Sequence, residues 1–384
     1  MGAQSSIEWT DATWNPIRAR NRVTGKVGWF CVHESEACRF CYAEKRNVNT
    51  FFGNGIAYKA QNLDLVELFL DETMLTAPLR WKKPRKIFVC SMTDLFGEFV
   101  PDDFIDRMFA IMALCPQHTF QVLTKRPERM QKYFADEKTP ARIAELEWVR
   151  HQIYDADCDD PPNATKRELR RLVNIDDARP WLTNYGKWDK PLPNVWLGTS
   201  CEDQATADER IPHLLATPAA IRFLSCEPLL GPIDLTSISY DCGNGLFGDA
   251  LRWHHIPYQE TRRYPGVDWV ICGGESGPHA RPMHPGWARS LRDQCQAAGV
   301  PFFFKQWGEW GCDDGPPENG RDRIMDGQAR CAWFDHEWHF EENGYAVDLE
   351  RLRGCGEPVY RLGKKNAGRL LDGRTWDEFP EVRP

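Results

Sequence analysis

The sequence predicts an α/β fold built on a parallel β-sheet, either open or closed into a barrel. Short apolar runs rich in β-branched and aromatic residues recur along the chain, as in strands that are buried on both faces. Helix-like stretches separate these runs, and repeated strand–helix alternation is typical of parallel sheets. The predicted strands are residues 27–31, 86–91, 119–124, 194–200, 221–226, 268–274 and 301–307.

The helices predicted between these strands have recognisable ends. Residues 102–114 (DDFIDRMFAIMAL) begin with two acidic residues and keep apolar residues at helical spacing. Residues 203–216 follow a similar pattern. Residues 285–298 begin with proline and are followed by Gly299, the usual asymmetry of helix start and helix end. These helices support the alternating pattern.

Two regions interrupt the alternation and define the predicted domains. Residues 136–193 contain a predicted helix over 140–154 and form a helical insertion between the third and fourth strands. Residues 308–384 are rich in Gly and Trp without a clear period, and are predicted to wrap the core as a C-terminal extension. The barrel core is therefore predicted to span residues 1–307, with the insertion inside it.

Composition narrows the class of protein. The 384 residues are 42% hydrophobic and 27% charged, which is a soluble globular profile. No apolar run is long enough to cross a bilayer, and the N-terminus lacks the apolar core of a secretory signal. Fourteen cysteines without an export signal indicate a reducing compartment, so we expect a cytoplasmic protein. A net charge of −8 argues against broad nonspecific binding of nucleic acid, but it allows a local basic channel.

Polar or glycine-rich segments follow the predicted strands. In parallel α/β folds, chemistry gathers at the carboxyl ends of the strands, so we expect these segments to share one rim. A loop with three cysteines, residues 29–45, follows the first predicted strand and is expected on the same rim. The other segments are SMTD (91–94), LTKRP (123–127), GTSCED (198–203), SCEPLLGP (225–232), GGESGP (273–278) and KQWGEW (305–310).

The three cysteines of this loop suggest a metal centre with an open position. Cys31, Cys38 and Cys41 have the spacing C-x6-C-x2-C. Iron–sulfur cubanes are held by cysteine thiolates, normally four, and three ligands leave one iron open, as a catalytic metal site requires. Two alternatives remain. A Cys3His zinc site that includes His33 would make the chain a zinc-stapled, non-catalytic binding protein. The thiols are otherwise ordinary small core residues.

The cysteine loop resembles the cluster motif of the radical S-adenosylmethionine (SAM) superfamily, whose usual spacing is C-x3-C-x-aromatic-C. Phe40, immediately before the last cysteine, matches the aromatic position, which in the superfamily lies near the adenine. The first gap, of six residues, is wider than the usual three. Much of the chain also resembles a phage- and bacteria-associated radical SAM family of poorly assigned function. The shared segments are IEWTDATWNP, CYAE, SMTDLF, LTKRP, SCEPLLGP, GGESG, KQWGEW and GKKNAGRLLDGRTWDEFP.

This resemblance implies a fold, cofactors and a reaction. The fold is a partial (β/α)6 TIM-like barrel of the radical SAM type, with a [4Fe–4S] cluster on Cys31, Cys38 and Cys41. S-adenosylmethionine chelates the fourth iron and is cleaved reductively to a 5′-deoxyadenosyl radical, which abstracts hydrogen from a substrate. An external electron donor of the flavodoxin or ferredoxin type is expected as a partner. The chain is thus expected to be a radical SAM enzyme.

The rim offers partners for each part of S-adenosylmethionine. Superfamily members bind the methionine amine at the end of the second strand, and a lysine after the third strand suits the carboxylate. Serine and glutamate after the fourth strand suit the ribose. The serines are alternatively helix caps, and the lysine a solvated surface residue. The predicted cofactor-binding residues are Phe40, Tyr42, Ser91, Thr93, Asp94, Lys125, Ser200 and Glu202.

Three residues further round the rim are the predicted catalytic groups. Cys226 is a candidate hydrogen-atom relay, although buried strand cysteines are usually inert. Glu227 and Glu275 are candidates for substrate binding or proton transfer; alternatively they form ion pairs with rim cations such as Arg281 or Lys305. The GGESG segment is either a backbone nest for an anion or a plain glycine turn.

The expected substrate is a nucleobase, modified or not, of DNA or of a nucleotide; alternatively, it is a small metabolite or a peptide. The family's association with phage suggests DNA modification, and flipped or single-stranded bases stack on aromatic side chains. The basic segment WKKPRK (81–86) supports a nucleic-acid contact, with a solvated turn before the second strand as the alternative.

Overall fold

A computed structural model describes residues 5–145, 191–240, 247–252, 254–255, 263–312, 329–341 and 357–381. The chain divides into two compact units. Unit 1 comprises Met1–Gly198 and Ala216–Ile221, and unit 2 comprises Thr199–Leu215 and Arg222–Pro384.

The described residues form short strands and helices in alternation. The strands are β1 (Ala12–Trp14), β2 (Ile17–Asn21), β3 (Val27–Gly28), β4 (Val66–Leu70), β5 (Lys86–Val89), β6 (Thr119–Thr124), β7 (Val195–Ser200), β8 (Ile221–Cys226), β9 (Ile238–Ser239), β10 (Phe247–Gly248), β11 (His254–His255), β12 (Arg263–Tyr264), β13 (Trp269–Gly273), β14 (Phe302–Gln306), β15 (Trp310–Gly311), β16 (Cys331–Phe334), β17 (Trp338–Glu341) and β18 (Val359–Arg361). The α-helices are α1 (Tyr42–Val48), α2 (Glu72–Leu75), α3 (Asp102–Ala113), α4 (Pro127–Ala135), α5 (Thr139–Glu145), α6 (Gln204–Ala216), α7 (Pro285–Ala298) and α8 (Lys364–Ala367).

The largest sheet has seven strands, in the order β1-β5-β6-β7-β8-β13-β14. The β1/β5 and β5/β6 pairs are parallel, as are β8/β13 and β13/β14. Every residue of β7, β8 and β13 is buried, as expected for strands covered on both faces. The prediction of an α/β fold on a parallel sheet is confirmed.

Six of the seven predicted strands occupy places in this sheet, and the predicted helices match α3, α6 and α7. Helix α7 has proline at its first position, and Gly299 follows it in the left-handed conformation at φ 71°. A residue with a Cβ is strained in that conformation, so glycine ends the helix cleanly. Helix ends were predictable here because each depends on one or two neighbouring residues.

The first predicted strand, residues 27–31, is wrong. Only Val27–Gly28 is extended in a strand, and it pairs antiparallel with β2 in a separate sheet of order β3-β2-β4. The run stops because side chains take the backbone groups of Trp29: Asn47 Oδ1 accepts its N–H at 2.8 Å, and Asn54 Nδ2 donates to its carbonyl at 3.0 Å. The first place in the parallel sheet belongs to β1 instead.

The two regions predicted to lie outside the alternating core are described in part. Helix α5 covers the beginning of the helix predicted over 140–154; residues 146–190 lie outside the described residues. In unit 2, β15, β18, β16 and β17 form an antiparallel sheet within the predicted C-terminal extension. Residues 376–378 run along β14, where Phe304 N–H donates to the Trp376 carbonyl at 2.9 Å and Phe302 N–H donates to Glu378 Oε2 at 2.9 Å.

Among the residues described, no helix combines the length and apolar character needed to cross a bilayer.

Candidate functional site

The cysteine loop of unit 1 is a tight turn that leads into a helix. Cys31 lies in an irregular segment, Cys38 ends a 3₁₀ turn (Glu36–Cys38), and Cys41 is the N-cap of α1. Backbone hydrogen bonds from Cys38 N–H to the Ser35 carbonyl (2.9 Å) and from Cys41 N–H to the Cys38 carbonyl (3.1 Å) set the turn. The Cys31 thiol lies near enough to both other thiols to be influenced by their charge. The loop therefore groups the three predicted ligands.

The exposure of these three residues distinguishes them from the other described cysteines. Cys31, Cys38 and Cys41 are partly exposed, whereas the other eight cysteines in the described part of the chain are buried. Free cysteines usually behave as small buried apolar residues. Among the described cysteines, those of this loop therefore depart from the usual burial.

Burial opposes ionisation of the Cys31 and Cys41 thiols. Burial raises the pKa of the Cys31 thiol, nearby Asp94 raises it further, and Arg126 opposes this effect. Burial also raises the pKa of Cys41, while the backbone N–H groups of Glu44 and Ala43 act in the opposite direction. Thiolates form readily at such positions when a bound cation supplies the compensating charge.

A buried network of asparagines fixes the loop to α1. Asn47 is fully buried; its Oδ1 accepts the Trp29 N–H, and its Nδ2 donates to Asn54 Oδ1 and to the Ile56 carbonyl, both at 2.8 Å. A Cβ on Gly28 would lie 2.3 Å from Asn47 Oδ1, so only glycine allows this approach. The segment before Cys31 and the helix after Cys41 are thereby held together.

Glu44 ties the two ends of the loop to the segment that follows α1. Its Oε1 accepts the Tyr58 N–H at 2.8 Å, and its Oε2 lies 2.9 Å from His33 Nε2. Tyr58 is buried and packs with Ala43 and Met92 in a small core against which Cys31 and Cys41 lie. His33 is thus engaged by a carboxylate.

The cysteine loop lies at the carboxyl end of β5, as the rim prediction requires within unit 1. Tyr42 Oη donates to the Ser91 carbonyl at 2.6 Å, and Thr93 Oγ1 donates to the Phe30 carbonyl. Cys90, the first residue after β5, has a positive φ of 57°, which is uncommon for a residue with a side chain and turns the chain into this contact. Two predicted cofactor-binding residues therefore join the loop to the sheet.

Arg126 is the centre of the charge network beneath the loop, and its role was not predicted. Its buried guanidinium contacts three carboxylates: Glu34 at 2.7 Å, Asp94 at 3.2 Å and Glu98 at 2.8 Å. Its Nη2 also donates to the Val32 carbonyl at 3.0 Å. One side chain after β6 therefore holds both the cysteine loop and the end of β5.

Asp94, predicted to bind the methionine amine, is saturated by protein donors. Its Oδ1 accepts from Thr124 Oγ1 (2.7 Å) and Phe96 N–H (3.0 Å), and its Oδ2 accepts from Lys125 N–H (2.9 Å) and Arg126 (3.2 Å). A carboxylate has about four acceptor positions, and all four are in use.

The other unit 1 residues predicted to bind S-adenosylmethionine also make contacts. The Ser91 hydroxyl exchanges hydrogen bonds with the Asn15 side chain at 3.1 and 3.2 Å. Lys125 is partly buried. The Arg39 guanidinium lies 5.4 Å from the Phe40 ring centre. Asn15 lies in the shared IEWTDATWNP segment, and this was the clue in the sequence to its role.

In unit 2, the two residues predicted to bind ribose are buried beside an arginine. Glu202 and Arg210 are about 1% and 2% exposed, and Arg210 Nη1 lies 3.0 Å from Glu202 Oε2. The same Nη1 donates to the Ser200 carbonyl at 2.9 Å. Helix α6 supplies Arg210, so this pair ties the helix to the end of β7.

The two predicted rim carboxylates of unit 2 form ion pairs, as the alternative interpretation anticipated. Glu227 Oε1 accepts from Lys305 Nζ at 2.5 Å. Glu275 makes a bidentate pair with Arg281, at 2.8 Å through Nη2 and 3.0 Å through Nε. Both carboxylates are mainly buried, so the pairs hold the segments after β8 and β13 in place.

Gly274 of GGESG and Gly308 of KQWGEW allow two backbone segments to touch. A Cβ on Gly274 would lie 1.9 Å from the Trp307 carbonyl oxygen, and one on Gly308 would lie 2.1 Å from the Glu275 carbonyl oxygen. Gly274 N–H donates to the Gln306 carbonyl, and Glu309 N–H to the Glu275 carbonyl, both at 2.9 Å. These contacts agree with a packing role for the two glycines.

We expect Gly274→Ala to lower the stability of unit 2 by about 1–3 kcal/mol, because backbone must move to admit the methyl group. Urea denaturation followed by tryptophan fluorescence measures the change. Gly273→Ala is the matched control, since its Cβ would meet its nearest neighbour at an ordinary 3.4 Å. Equal effects of the two substitutions would contradict this account.

Cys226, the predicted hydrogen-atom relay, is fully buried at the end of β8, opposite Cys272 of β13. Burial raises the pKa of its thiol well above the usual value, and nearby Cys201 adds to the effect.

In the described residues, no group of three or more His, Cys, Asp or Glu side chains is placed so that it could hold a metal ion.

Comparison with known proteins gives one family. A sequence profile described as protein of unknown function (DUF5131) matches residues 4–380. No curated protein and no solved structure matches the chain significantly. The match covers nearly the whole sequence, and the chain belongs to the DUF5131 family.

Proposed function

We propose that the chain is a radical S-adenosylmethionine enzyme that holds a [4Fe–4S] cluster on Cys31, Cys38 and Cys41. The observation that carries the proposal is the grouping of three partly exposed cysteine residues on one short loop at the carboxyl end of β5, whereas the other described cysteines are buried. The parallel sheet is compatible with the partial (β/α)6 barrel of that superfamily.

The chemistry of the loop fits such a cluster, because thiolates are the usual ligands of iron–sulfur clusters. In a cubane each cysteine would bind a different iron, so three cysteines would leave the fourth iron open.

The zinc alternative has less support from the loop itself. Its fourth ligand would be His33, whose Nε2 lies 2.9 Å from Glu44 Oε2. Glu44 also accepts the Tyr58 N–H, so releasing His33 would leave the carboxylate only partly satisfied.

A cluster held by these cysteines would supply one electron to S-adenosylmethionine, which would split into methionine and a 5′-deoxyadenosyl radical able to abstract hydrogen from the substrate. The protein's part is to hold the loop. Asn47 fixes its two ends, and Arg126 fixes its middle through Glu34 and the Val32 carbonyl. We assign Asp94 a positioning role, because its acceptor positions are filled by Arg126 and its neighbours.

The proposed substrate is a nucleobase of DNA or of a nucleotide, and the proposed electron donor is a flavodoxin- or ferredoxin-type protein. The basic segment 81–86 contributes little support, since it is a mostly exposed turn in which Arg85 stacks on Trp81 at 4.8 Å. The surface around Phe51 and Phe52 gives stronger support for a nucleic-acid substrate.

Anaerobic reconstitution tests the proposal. We expect iron and sulfide in a 1:1 ratio, a broad brown absorbance, and release of 5′-deoxyadenosine from S-adenosylmethionine under reductant. Deuterium transfer into 5′-deoxyadenosine from labelled oligonucleotides then identifies the substrate. A colourless protein that retains one tightly held zinc ion would overturn the proposal in favour of the zinc-stapled alternative.

A further inference from the structure

Two exposed phenylalanines follow α1 and stand among basic residues. Phe51 is 86% exposed and Phe52 is 51% exposed, which is unusual for side chains of this size. Lys26, Lys45 and Arg46 are also exposed, and the Arg46 guanidinium lies 5.1 Å from the Phe52 ring centre. These five residues, all in unit 1, are called the Phe51–Phe52 patch below.

The turn that presents the two rings is well defined by its hydrogen bonds. Asn49 Oδ1 accepts the Phe51 N–H at 3.0 Å, and the Asn49 carbonyl accepts the Phe52 N–H at 2.9 Å. A Cβ on Gly53 would lie 2.3 Å from the Asn47 carbonyl oxygen, so a glycine is needed where the turn packs on α1. The rings are therefore held at the surface by a built turn.

The surroundings of the patch are basic in an acidic protein. Residues 17–59 contain eight Lys or Arg and three Glu, although the whole chain has a net charge of −8. Lys26 Nζ donates to the Thr50 carbonyl at 3.2 Å, which brings the basic β2–β3 hairpin beside the two rings. An anionic partner is favoured on this surface by charge complementarity.

We propose that the Phe51–Phe52 patch binds single-stranded nucleic acid. Proteins that bind single strands combine a positive surface for the phosphates with aromatic side chains on which bases stack. The two rings stand at 85° to each other with centres 4.9 Å apart, so they present differently oriented faces to successive bases.

An acidic protein partner fits the patch less well. A stable protein interface buries about 800 Å² on each partner around a core depleted in charge. Here Arg46 stacks on one of the two rings, and Lys45 lies beside it in the chain. Interleaved charges and rings match a phosphate–base repeat more closely than an apolar interface core.

The patch lies one short helix away from the cysteine loop. Helix α1 begins at Tyr42, next to Cys41, and its seven residues span about 10 Å. The inference that the patch delivers a base to the cluster rests on the proposed function. The inference that the patch binds single-stranded nucleic acid does not depend on it.

Fluorescence anisotropy with a fluorescein-labelled 20-residue oligothymidylate and the full chain tests the proposal. We expect binding at low salt that weakens as salt rises, and a loss of about 5- to 100-fold on the double substitution Phe51→Ala/Phe52→Ala. Lys45→Gln/Arg46→Gln should reduce the slope of log K against log salt by about 1.4. Phe247→Ala is the matched control, because Phe247 is 62% exposed and belongs to unit 2.

Several outcomes would overturn the proposal. These are no binding of the oligonucleotide at low salt, equal losses in the patch and control variants, or capture of an acidic protein by the patch without oligonucleotide binding. The Cys38→Ala protein separates the proposed nucleic-acid-binding patch from the proposed cluster site, since it should bind the oligonucleotide normally. Normal 5′-deoxyadenosine release without oligonucleotide binding would reject the patch alone. Binding without any cluster would reject the proposed function alone.

Discussion

Replacement of Cys38 by alanine is expected to abolish both the brown absorbance of the reconstituted protein and its cleavage of S-adenosylmethionine. Two cysteines cannot hold a cubane against loss or rearrangement when the site normally supplies three. The measurements are iron and sulfide content after anaerobic reconstitution and chromatography of 5′-deoxyadenosine. We expect 5′-deoxyadenosine to fall to background, because the electron from the reductant would reach S-adenosylmethionine through the cluster.

Cys115→Ala is the matched control for this experiment. Cys115 belongs to the same unit but is fully buried, so its loss should leave the colour and the cleavage intact. The Cys38→Ala protein should keep the fold, since Cys38 is partly exposed and its thiol accepts a long hydrogen bond, of 3.4 Å, from the Glu34 N–H. A brown, active Cys38→Ala protein would contradict the assignment of this residue as a ligand.

Arg126→Met is expected to lower the free energy of unfolding of the cluster-free protein by about 3–5 kcal/mol. The substitution leaves Asp94, which is buried, without its cationic partner, and it frees Glu34 and the Val32 carbonyl of the cysteine loop. Urea denaturation measures the change. We also expect the variant to retain less iron after reconstitution, because the loop loses the contact that holds its middle.

Arg107→Met is the matched control, because it shows how much stability is lost when an arginine outside the Arg126 network is removed. Arg107 pairs with Glu72 at 2.6 Å, but Glu72 is 63% exposed, and such surface pairs contribute about 1 kcal/mol or less. The double substitution Arg126→Met/Asp94→Asn should recover part of the stability without restoring iron retention. An Arg126→Met protein as stable as Arg107→Met would show that the three-carboxylate network is not needed for the fold.

Much of the sheet was predictable because its strands are locally encoded. The run TFQVLT coincides with β6, and β7, β8, β13 and β14 fall within one residue of their predicted ends. Strands buried on both faces need unbroken apolar sequence, so their pattern does not depend on distant residues.

The prediction of the first strand failed because the structure of this segment depends on distant residues. Residues 27–31 are as apolar as a strand, but Asn47 and Asn54 satisfy the backbone of Trp29 from further along the chain. The two asparagines give no local sign of this role. The two asparagines approach the glycines of the loop only when the chain has folded, so their positions in the sequence do not predict the contact.

The grouping of the three loop cysteines was predictable, but the side chains that hold the loop were not. The grouping is visible in the sequence because Cys31, Cys38 and Cys41 lie within eleven positions. The role of Arg126 was not visible, since its partners Glu34 and Glu98 come from two distant segments. The ion pairs of Glu227 and Glu275 were anticipated only as alternatives, because sequence alone does not give the distance between a carboxylate and a cation.

The pairing of residues 376–378 with β14 has a consequence for synthesis on the ribosome. Strand β14 is an edge of the parallel sheet, and Phe302, Phe303 and Phe304 within it are almost completely buried. Its covering segment is translated long after the strand itself. Throughout that interval the nascent chain presents an uncovered aromatic edge, the kind of surface that recruits other strands. We therefore expect a chain truncated before residue 376 to aggregate more readily than the full chain.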